Sequence, residues 1–264
     1  MYRFLLTPRW LALHVVVLLV IPAFVFLGRW QFGRYELRSA AEDRNSTNLA
    51  APPVPFDTLT SVGGAVPDSD KYRRITATGT YDTAHELLVR RRTQNSQVGF
   101  YVLTPLKTPG GAVLVNRGWV KAGATIDALP DIPPPPGGEV TLTGRLRPAE
   151  TTETTGIIDR KGLPAGQVLL INDRPIGAIV GSPLFGGYVD LIEQQPISES
   201  APEPVPAPES AGGGGLNLAY GVQWWLFIGV AIGGWILLIR RELHDRREST
   251  DNGGADEAAS HAVT

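Results

Sequence analysis

The side chains best suited to bind a ligand or a partner protein fall into three clusters. Each cluster joins an aromatic ring to an amide or a guanidinium, and the members are Trp30, Gln31 and Arg34, then Arg117 and Trp119, then Tyr220, Gln223 and Trp224. An aromatic ring can stack on a flat ligand, and a guanidinium can pair with a carboxylate. These side chains are therefore candidates for binding a cofactor or a partner.

The first and last clusters lie at the ends of two apolar segments. Tyr220, Gln223 and Trp224 are spaced three and four apart, so they share one face of a helix. If the two segments pack as a hairpin of helices, the clusters face each other. An aromatic belt at a membrane surface needs only Trp and Tyr, whereas glutamine in lipid costs free energy unless it is hydrogen-bonded. A belt and a binding platform both fit these residues.

The middle cluster ends a predicted strand. Side chains alternate along a strand, so Arg117 and Trp119 share a face, and Gly118 between them permits close approach of another backbone or a flat ligand. A structural pair between neighbouring strands explains the same residues.

Catalytic and metal-binding residues are sparse. The chain has no cysteine, which excludes thiolate catalysis, disulfides and iron–sulfur ligation, and no two of its four histidines have metal-ligand spacing. His85 has no Ser or Cys partner nearby and is predicted to be a surface residue. His14 lies inside an apolar segment, where it is either a functional group or, as we favour, a residue that makes an interfacial or an interhelix hydrogen bond. We predict no enzyme activity and no metal site. The net charge of −2 gives no indication of a nucleic-acid partner.

The elements that must position the clusters begin with the two apolar segments, residues 10–27 and 218–239. Each approaches the roughly 20 helical residues that span a bilayer. Arg240 and Arg241, with two further arginines at 246 and 247, follow the second segment and predict a cytoplasmic C-terminus. The sequence therefore predicts a membrane protein whose two transmembrane helices form an N-in, C-in hairpin around an extracytoplasmic domain. The lysine-poor composition indicates a bacterial source.

The segment between the helices has the alternation typical of strands. Predicted strands cover residues 73–81, 86–92, 100–106, 112–120, 140–146, 168–172 and 188–193, with a helical turn at 176–180. The TPGG sequence at 108–111 predicts a hairpin, and the four consecutive prolines within 130–138 predict a polyproline connector. Six or seven strands in about 125 residues predict one mainly antiparallel sheet or a small barrel.

The sequence thus divides into seven predicted parts. In order they are a cytoplasmic N-terminus at 1–9, transmembrane helix 1 at 10–28, a juxtamembrane segment and entry loop at 29–70 with a short helix through 35–44, the β-rich domain at 71–195, a flexible Pro/Gly-rich linker at 196–216, transmembrane helix 2 at 217–239, and a cytoplasmic tail at 240–264.

Several motifs together resemble a known family. They are WQxxR from residue 30, YRRITATGTYD from residue 72, Arg92 followed by GFYVLTPL from residue 99, VLVNRGWV from residue 113, and LAYGVQWW from residue 218. In this order they resemble the Surfeit locus protein family of cytochrome c oxidase assembly factors, over residues 28–239. The resemblance implies a protein of the cell membrane, with one helix before and one helix after a β-rich domain. The residues themselves predict the same arrangement.

The resemblance also implies a function. It implies assembly of heme-a-containing cytochrome c oxidase, through handling of heme a or maturation of the catalytic subunit, with oxidase subunits and membrane lipid as partners. The family's proposed heme ligand is a histidine at the head of the second helix, where this chain has Asn217, a poor iron ligand. An alternative is a stoichiometric accessory subunit of the oxidase or of a respiratory supercomplex.

Under this resemblance, transient heme a would be held by the aromatic side chains, with arginines near its propionates. The residues implied are Trp119, Tyr220 and Trp224, together with Arg117 or Arg34. Trp30, Gln31, Arg34 and Gln223 would then contact the partner protein.

Overall fold

The computed structural model describes residues 3–123, 129–160, 162–208 and 214–261, the last with side chains for 215–248. It divides into two compact units, Met1–Ala41 with Ala211–Thr264, and Glu42–Ser210. Residues 1–2 of the predicted N-terminus, 209–213 of the predicted linker and 262–264 of the predicted tail lie outside the described residues.

The first unit contains the helix α4 (Gly214–His261) and the part of the long helix α1 (Pro8–Ala50) that ends at Ala41. Both hold segments long and apolar enough to cross a membrane, with mean hydropathies of 2.7 and 1.9. The prediction of two apolar helices is confirmed. The predicted short helix through 35–44 is part of α1, and the predicted entry loop is wrong for residues 45–50, because α1 continues without interruption to Ala50. The stretch 29–50 contains no proline and is rich in Leu, Glu, Arg and Ala, which favour helix.

The two helices pack antiparallel through glycines that face aromatic rings. A methyl group added to Gly28 would lie 3.1 Å from Nε1 of Trp225, and one added to Gly221 would lie 3.1 Å from the Phe32 ring. Glycine therefore allows both rings to approach the neighbouring helix.

His14 joins the same two helices farther along. The Nε1–H of Trp235 donates to Nδ1 of His14 over 3.0 Å, and the two rings meet edge to face. The preferred interpretation of His14 as part of an interhelix hydrogen bond is confirmed. This bond satisfies two polar groups within an apolar helix pair.

The second unit is a β-barrel with short helices on it. Its strands are β1 (Val54–Pro55), β2 (Arg74–Tyr81), β3 (Leu87–Gln94), β4 (Gln97–Thr108), β5 (Gly111–Lys121), β6 (Glu139–Arg147), β7 (Gln167–Val168) and β8 (Tyr188–Gln195). The pairings β2–β6–β8–β5–β4–β2 close a ring of five strands, while β1 pairs with β2, β3 with β4 and β7 with β3. Most neighbours are antiparallel, but β1–β2, β3–β7 and β5–β8 are parallel. The predicted small barrel is confirmed.

Local predictions are borne out in part. β4 and β5 form the predicted hairpin, with Thr108 paired to Gly111, and the proline run between β5 and β6 forms no strand. The predicted strand at 168–172 is wrong beyond Val168. The N–H of Ile171 donates to the Glu150 carboxylate rather than to a neighbouring strand.

Two short helices, α2 (Thr152–Thr155) and α3 (Asp173–Val180), lie on the barrel. α3 begins earlier than the predicted turn because the Asn172 side chain caps the N–H of Arg174.

β5 is buried on both faces and organises the core. Val113 and Val115 pack in one apolar cluster with residues of all the ring strands, including Leu106 of β4. Ala112 and Leu114, which alternate with them, pack in a second cluster that includes α3. Because successive side chains of a strand point to opposite faces, the first cluster fills the barrel and the second lies outside it.

Part of the predicted flexible linker is an ordered addition to the barrel. The backbone of Glu203 exchanges two hydrogen bonds with that of Trp119, at 2.7 and 2.8 Å, and Arg145 donates to the carbonyl of Val205 over 2.6 Å. The prediction of a loose linker is therefore wrong for residues 202–205. Backbone hydrogen bonds hold this segment in place, although its proline-rich composition predicts flexibility.

The C-terminal turn of α1 belongs to the second unit. The amide of Asn48 donates to the carbonyls of Ser69 and Lys71 over 2.7 and 2.9 Å. These bonds fix the chain that leads into β2.

Closure of the ring between β2 and β4 rests on a short contact. Only Thr80 with Lys107 and Tyr81 with Leu106 pair there. A methyl group on Gly79 would lie 2.2 Å from the carbonyl oxygen of Lys107, so only glycine permits this approach. The Lys107 ammonium lies 2.9 Å from the buried Asp82 carboxylate and strengthens the same contact.

We expect Gly79→Ala to open or strain this closure. The added methyl overlaps backbone that cannot move away, which should lower the free energy of unfolding by about 2–3 kcal/mol. Gly137→Ala is the matched control, because no atom lies within 4 Å of its added methyl. Melting temperatures of both full-length variants in mild detergent check this prediction, and equal values would contradict it.

Asp82 should make the barrel sensitive to acid. Burial opposes ionisation of its carboxyl, but hydrogen bonds from Lys107 and His85 outweigh burial and hold the pKa of Asp82 below its usual value. The carboxylate therefore stabilises the fold above the ordinary aspartate pKa of about 4, and this contribution is lost as the pH falls through the lower folded-state pKa.

We expect the stability difference between the native protein and Asp82→Asn to shrink as the pH is lowered from 7 to 3. Melting curves across that range measure it. Asp57→Asn, at an exposed aspartate, is the control and should follow the native curve. A stability difference between the native protein and Asp82→Asn that does not change with pH would contradict the proposed role of the Asp82 carboxylate.

Candidate partner-binding site

Arg117 is held inside the barrel unit by three partners. The residue is only 4% exposed. Its Nη2 donates to the Glu86 carboxylate over 2.6 Å, its Nε to Oγ1 of Thr104 over 2.9 Å, and its Nη1 to the carbonyl of Pro133 over 2.9 Å. The guanidinium thus joins β5 to β4, to the start of β3 and to the proline run.

Trp119 is likewise part of the packed domain. It is 6% exposed, and its Nε1–H donates to the carbonyl of Arg92 over 3.0 Å. Gly118 has a φ of +141°, and an added methyl there would lie 2.5 Å from the carbonyl of Glu203. A backbone does approach Gly118 closely, as the sequence predicts, and that backbone belongs to the chain itself.

A bulge changes how these side chains are arranged. The register with β4 shifts between Val102 and Leu103, which leaves Arg117 without a residue opposite it. Simple alternation therefore fails at this point of β5. Arg117 and Trp119 have separate partners outside β5, as expected for residues with a structural role.

The resemblance implies that residues of the barrel help to hold heme a. These residues do not fit a heme group. The donors of Arg117 and the indole N–H of Trp119 already have protein partners, and both residues are buried. Asn217, at the family's ligand position, lies in the first turn of α4 and offers iron an amide rather than an imidazole. Among the described residues, no group of three or more His, Cys, Asp or Glu could hold a metal ion.

The cluster residues on the helices divide into packed and exposed side chains. Trp224 packs on Phe24 at a ring distance of 5.3 Å, so it belongs to the interface between α1 and α4. Trp30 and Tyr220 are each 49% exposed, and the Arg34 guanidinium lies over the Trp30 ring at 5.3 Å. Trp30 and Tyr220 therefore present accessible aromatic rings, and the Arg34 guanidinium lies beside the first of them.

The two glutamines have different surroundings. Gln223 is exposed. Oε1 of Gln31 is buried and accepts no hydrogen bond from the residues that the structure describes. A buried amide oxygen without a donor costs free energy. We define the candidate partner-binding site by five residues of the two helices: Trp30, Gln31, Arg34, Tyr220 and Gln223.

Sequence reasoning missed the carboxylates that neutralise the buried arginines. Glu86 pairs with Arg117, and Glu150 pairs with Arg92. Glu150 also accepts hydrogen bonds from the N–H of Ile171 and the hydroxyl of Tyr188, and burial raises the pKa of Tyr188 well above its usual value. An arginine within the apolar run VLVNRGWV is a sequence signal that a buried carboxylate must exist, but it does not say which one.

Two apolar helices that could span a membrane, joined to a closed β-barrel, define this chain as a barrel protein with two candidate membrane anchors. The SURF1 family matches residues 18–229, which include most of both apolar segments and the whole barrel. The chain belongs to the SURF1 family.

Individual relatives agree with this family. An uncharacterized SURF1-like protein of Mycobacterium tuberculosis is 36% identical over 230 residues, covering 85% of this chain and 81% of the relative. A SURF1-like protein of Dictyostelium discoideum is 28% identical over 107 residues, 38% of this chain and 40% of its own. The cytochrome oxidase assembly protein Shy1 of Saccharomyces cerevisiae is 28% identical over 97 residues, 36% of this chain and 24% of its own.

Breaking the buried pair of Arg117 and Glu86 should destabilise the fold. Glu86→Gln leaves the guanidinium buried without a countercharge, so we expect a loss of about 3 kcal/mol in the free energy of unfolding. Glu193→Gln, at an exposed glutamate of β8, should change stability by less than about 0.5 kcal/mol. Chemical denaturation of the two variants measures the difference.

A double variant tests whether the effect comes from the unpaired charge. Replacing both members, as in Glu86→Leu with Arg117→Met, should recover most of the lost stability, since no isolated charge is then buried. If the double variant is less stable than Glu86→Gln, the hydrogen bonds of Arg117 to Thr104 and Pro133 matter more than its charge.

Proposed function

We propose that this protein is an assembly factor for heme-a-containing cytochrome c oxidase. The observation that carries the proposal is membership of the SURF1 family, in which a yeast relative is named a cytochrome oxidase assembly protein. The scarcity of catalytic groups among the described residues is in keeping with a protein that acts by binding.

In this proposal the protein lies in the cell membrane, with its termini in the cytoplasm and its barrel outside. The charge pattern supports the orientation, because Arg240 and Arg241 directly follow the second apolar segment. The two helices would then share the bilayer with the helices of the oxidase.

The catalytic subunit is the proposed partner, and the candidate partner-binding site is its proposed docking surface. Exposed aromatic side chains and arginine are the residue types that contribute most to protein interfaces.

Contact with the catalytic subunit has more support than direct handling of heme a. Tyr220, Arg34 and Trp30 are accessible, whereas Arg117 and Trp119 are buried and already hydrogen-bonded. Transient binding of heme a stays a prediction of the family resemblance, with no ligand assigned to it.

Deletion of the gene should lower both oxidase activity and heme-a absorbance in isolated membranes. The native gene should restore both, and so should Phe26→Ala, which alters an exposed aromatic residue of α1 outside the site. The double variant Trp30→Ala with Tyr220→Ala should restore them poorly while reaching the same level in the membrane. Normal heme a and normal activity in the deletion strain would overturn the proposal.

Purification in mild detergent through a tag on the C-terminal tail separates an assembly factor from an accessory subunit. An assembly factor should co-purify with immature catalytic subunit and be absent from finished, active oxidase. Recovery in equal amount with active oxidase would favour the accessory subunit instead.

A further inference from the structure

Three consecutive arginines in β3 have different surroundings. Arg92 pairs with the Glu150 carboxylate. For Arg90 and Arg91 the structure describes no carboxylate partner within its described residues, although Arg90 donates to Oε1 of Gln167. Two cations on one short segment repel each other unless an anion lies between or beside them.

A bulge in β3 directs both of these arginines to one cavity. Consecutive side chains of a regular strand point to opposite faces. The register with β4 shifts between Val89 and Arg92, and Arg91 has a φ of +59°, which a residue with a side chain rarely adopts. As a result Arg90 and Arg91 line the same cavity. Bulges commonly redirect side chains toward a binding site.

The cavity has a volume of about 460 Å³, which is within the range of small-ligand sites. Its walls are largely apolar, including Val98, Phe100 and Leu169, and Arg160 adds a third cation. No carboxylate lines it among the described residues; Asp159 lines an adjoining cavity. The cavity thus combines an uncompensated positive charge with an apolar surface.

Arg90 is positioned before any ligand arrives. The hydrogen bond to Gln167 holds one of its nitrogens, and its guanidinium lies 5.9 Å from the centre of the Phe100 ring. A guanidinium has five N–H donors in a fixed plane, so the remaining donors can bind the oxygens of an anion in bidentate fashion. A fixed orientation lowers the entropy lost on binding.

We propose that this cavity binds a phosphate group carried on an apolar body, as in an anionic phospholipid. Arginines 90, 91 and 160 would contact the phosphate oxygens, and the side chains of Val98, Phe100 and Leu169 would contact the hydrocarbon part. The site is separate from the candidate partner-binding site and does not depend on a role in oxidase assembly.

The test uses the full-length protein in neutral detergent and isothermal titration calorimetry. The probe is dihexanoylphosphatidylglycerol below its micelle concentration. The zwitterionic dihexanoylphosphatidylcholine and inorganic phosphate are the comparison probes. We expect the anionic lipid to bind most tightly, because it alone offers both an unneutralised phosphate and acyl chains.

Arg91→Gly is the main variant, since glycine accepts a φ of +59° and the bulge should fold at least as well. We expect it to weaken binding of the anionic lipid about tenfold, and Arg90→Gln with Arg91→Gly to weaken it further. Arg174→Gln, which removes an exposed arginine that does not line the cavity, should leave affinity within about twofold.

Three results would overturn the proposal. If the native protein and Arg91→Gly bind the anionic lipid with equal affinity, the arginines do not contribute to the site. Equal affinity for the zwitterionic and anionic lipids would show that charge is not recognised. Inorganic phosphate binding as tightly as the anionic lipid would show that the apolar wall is not used.

Discussion

Closure of the barrel between β2 and β4 is the constraint on which the rest of the second unit depends. Two residue pairs make this contact, and they form only because Gly79 lets the strands approach and Asp82 attracts Lys107. A closed ring leaves no unpaired edge within it. β5 lies between β4 and β8 in this ring and is buried along most of its length, so Arg117 on that strand has its partners inside the protein.

The buried ion pairs follow from this burial and connect the barrel to its irregular segments. Arg117 reaches the proline run through the carbonyl of Pro133, and Glu150 receives the N–H of Ile171. In each case a charged side chain, rather than a neighbouring strand, forms the hydrogen bond with backbone that lies outside the strands. Such pairs add little net stability compared with apolar packing, but breaking one of them is costly. They therefore fix the positions of these segments more than they strengthen the fold.

Local patterns predict the helices, most of the strands and the hairpin because those features depend on residues close in sequence. Apolar runs predict α1 and α4, and alternation with TPGG predicts β4 and β5. The parallel pairing of β5 with β8 depends on residues about 74 positions apart, such as Asn116 and Asp190, and no local pattern encodes it. The single sequence therefore predicts the elements and offers a barrel as one of two arrangements, while the order of strands around the ring comes from the structure.

The candidate site was predicted unevenly for a related reason. Helical spacing groups Tyr220 with Gln223 and Trp224, but it does not show that Trp224 faces the neighbouring helix. In β5 and β3 the bulges at Arg117 and Arg91 break the alternation on which strand predictions rest. An extra residue in a strand reverses the facing of all the residues after it. The positions of Arg90, Arg91, Arg117 and Trp119 therefore could not be deduced from alternation.

The hydrogen bonds of Asn48 place the border of the barrel unit within α1 rather than at its end. The final turns of this helix are joined by Asn48 to Ser69 and Lys71, and the compact unit begins at Glu42. A soluble fragment that starts at residue 51, where the helix stops, would lose this fastening and expose the carbonyls that it covers. A fragment cut in the helix near Glu42 would keep it, so the natural place to divide the protein is inside a continuous helix.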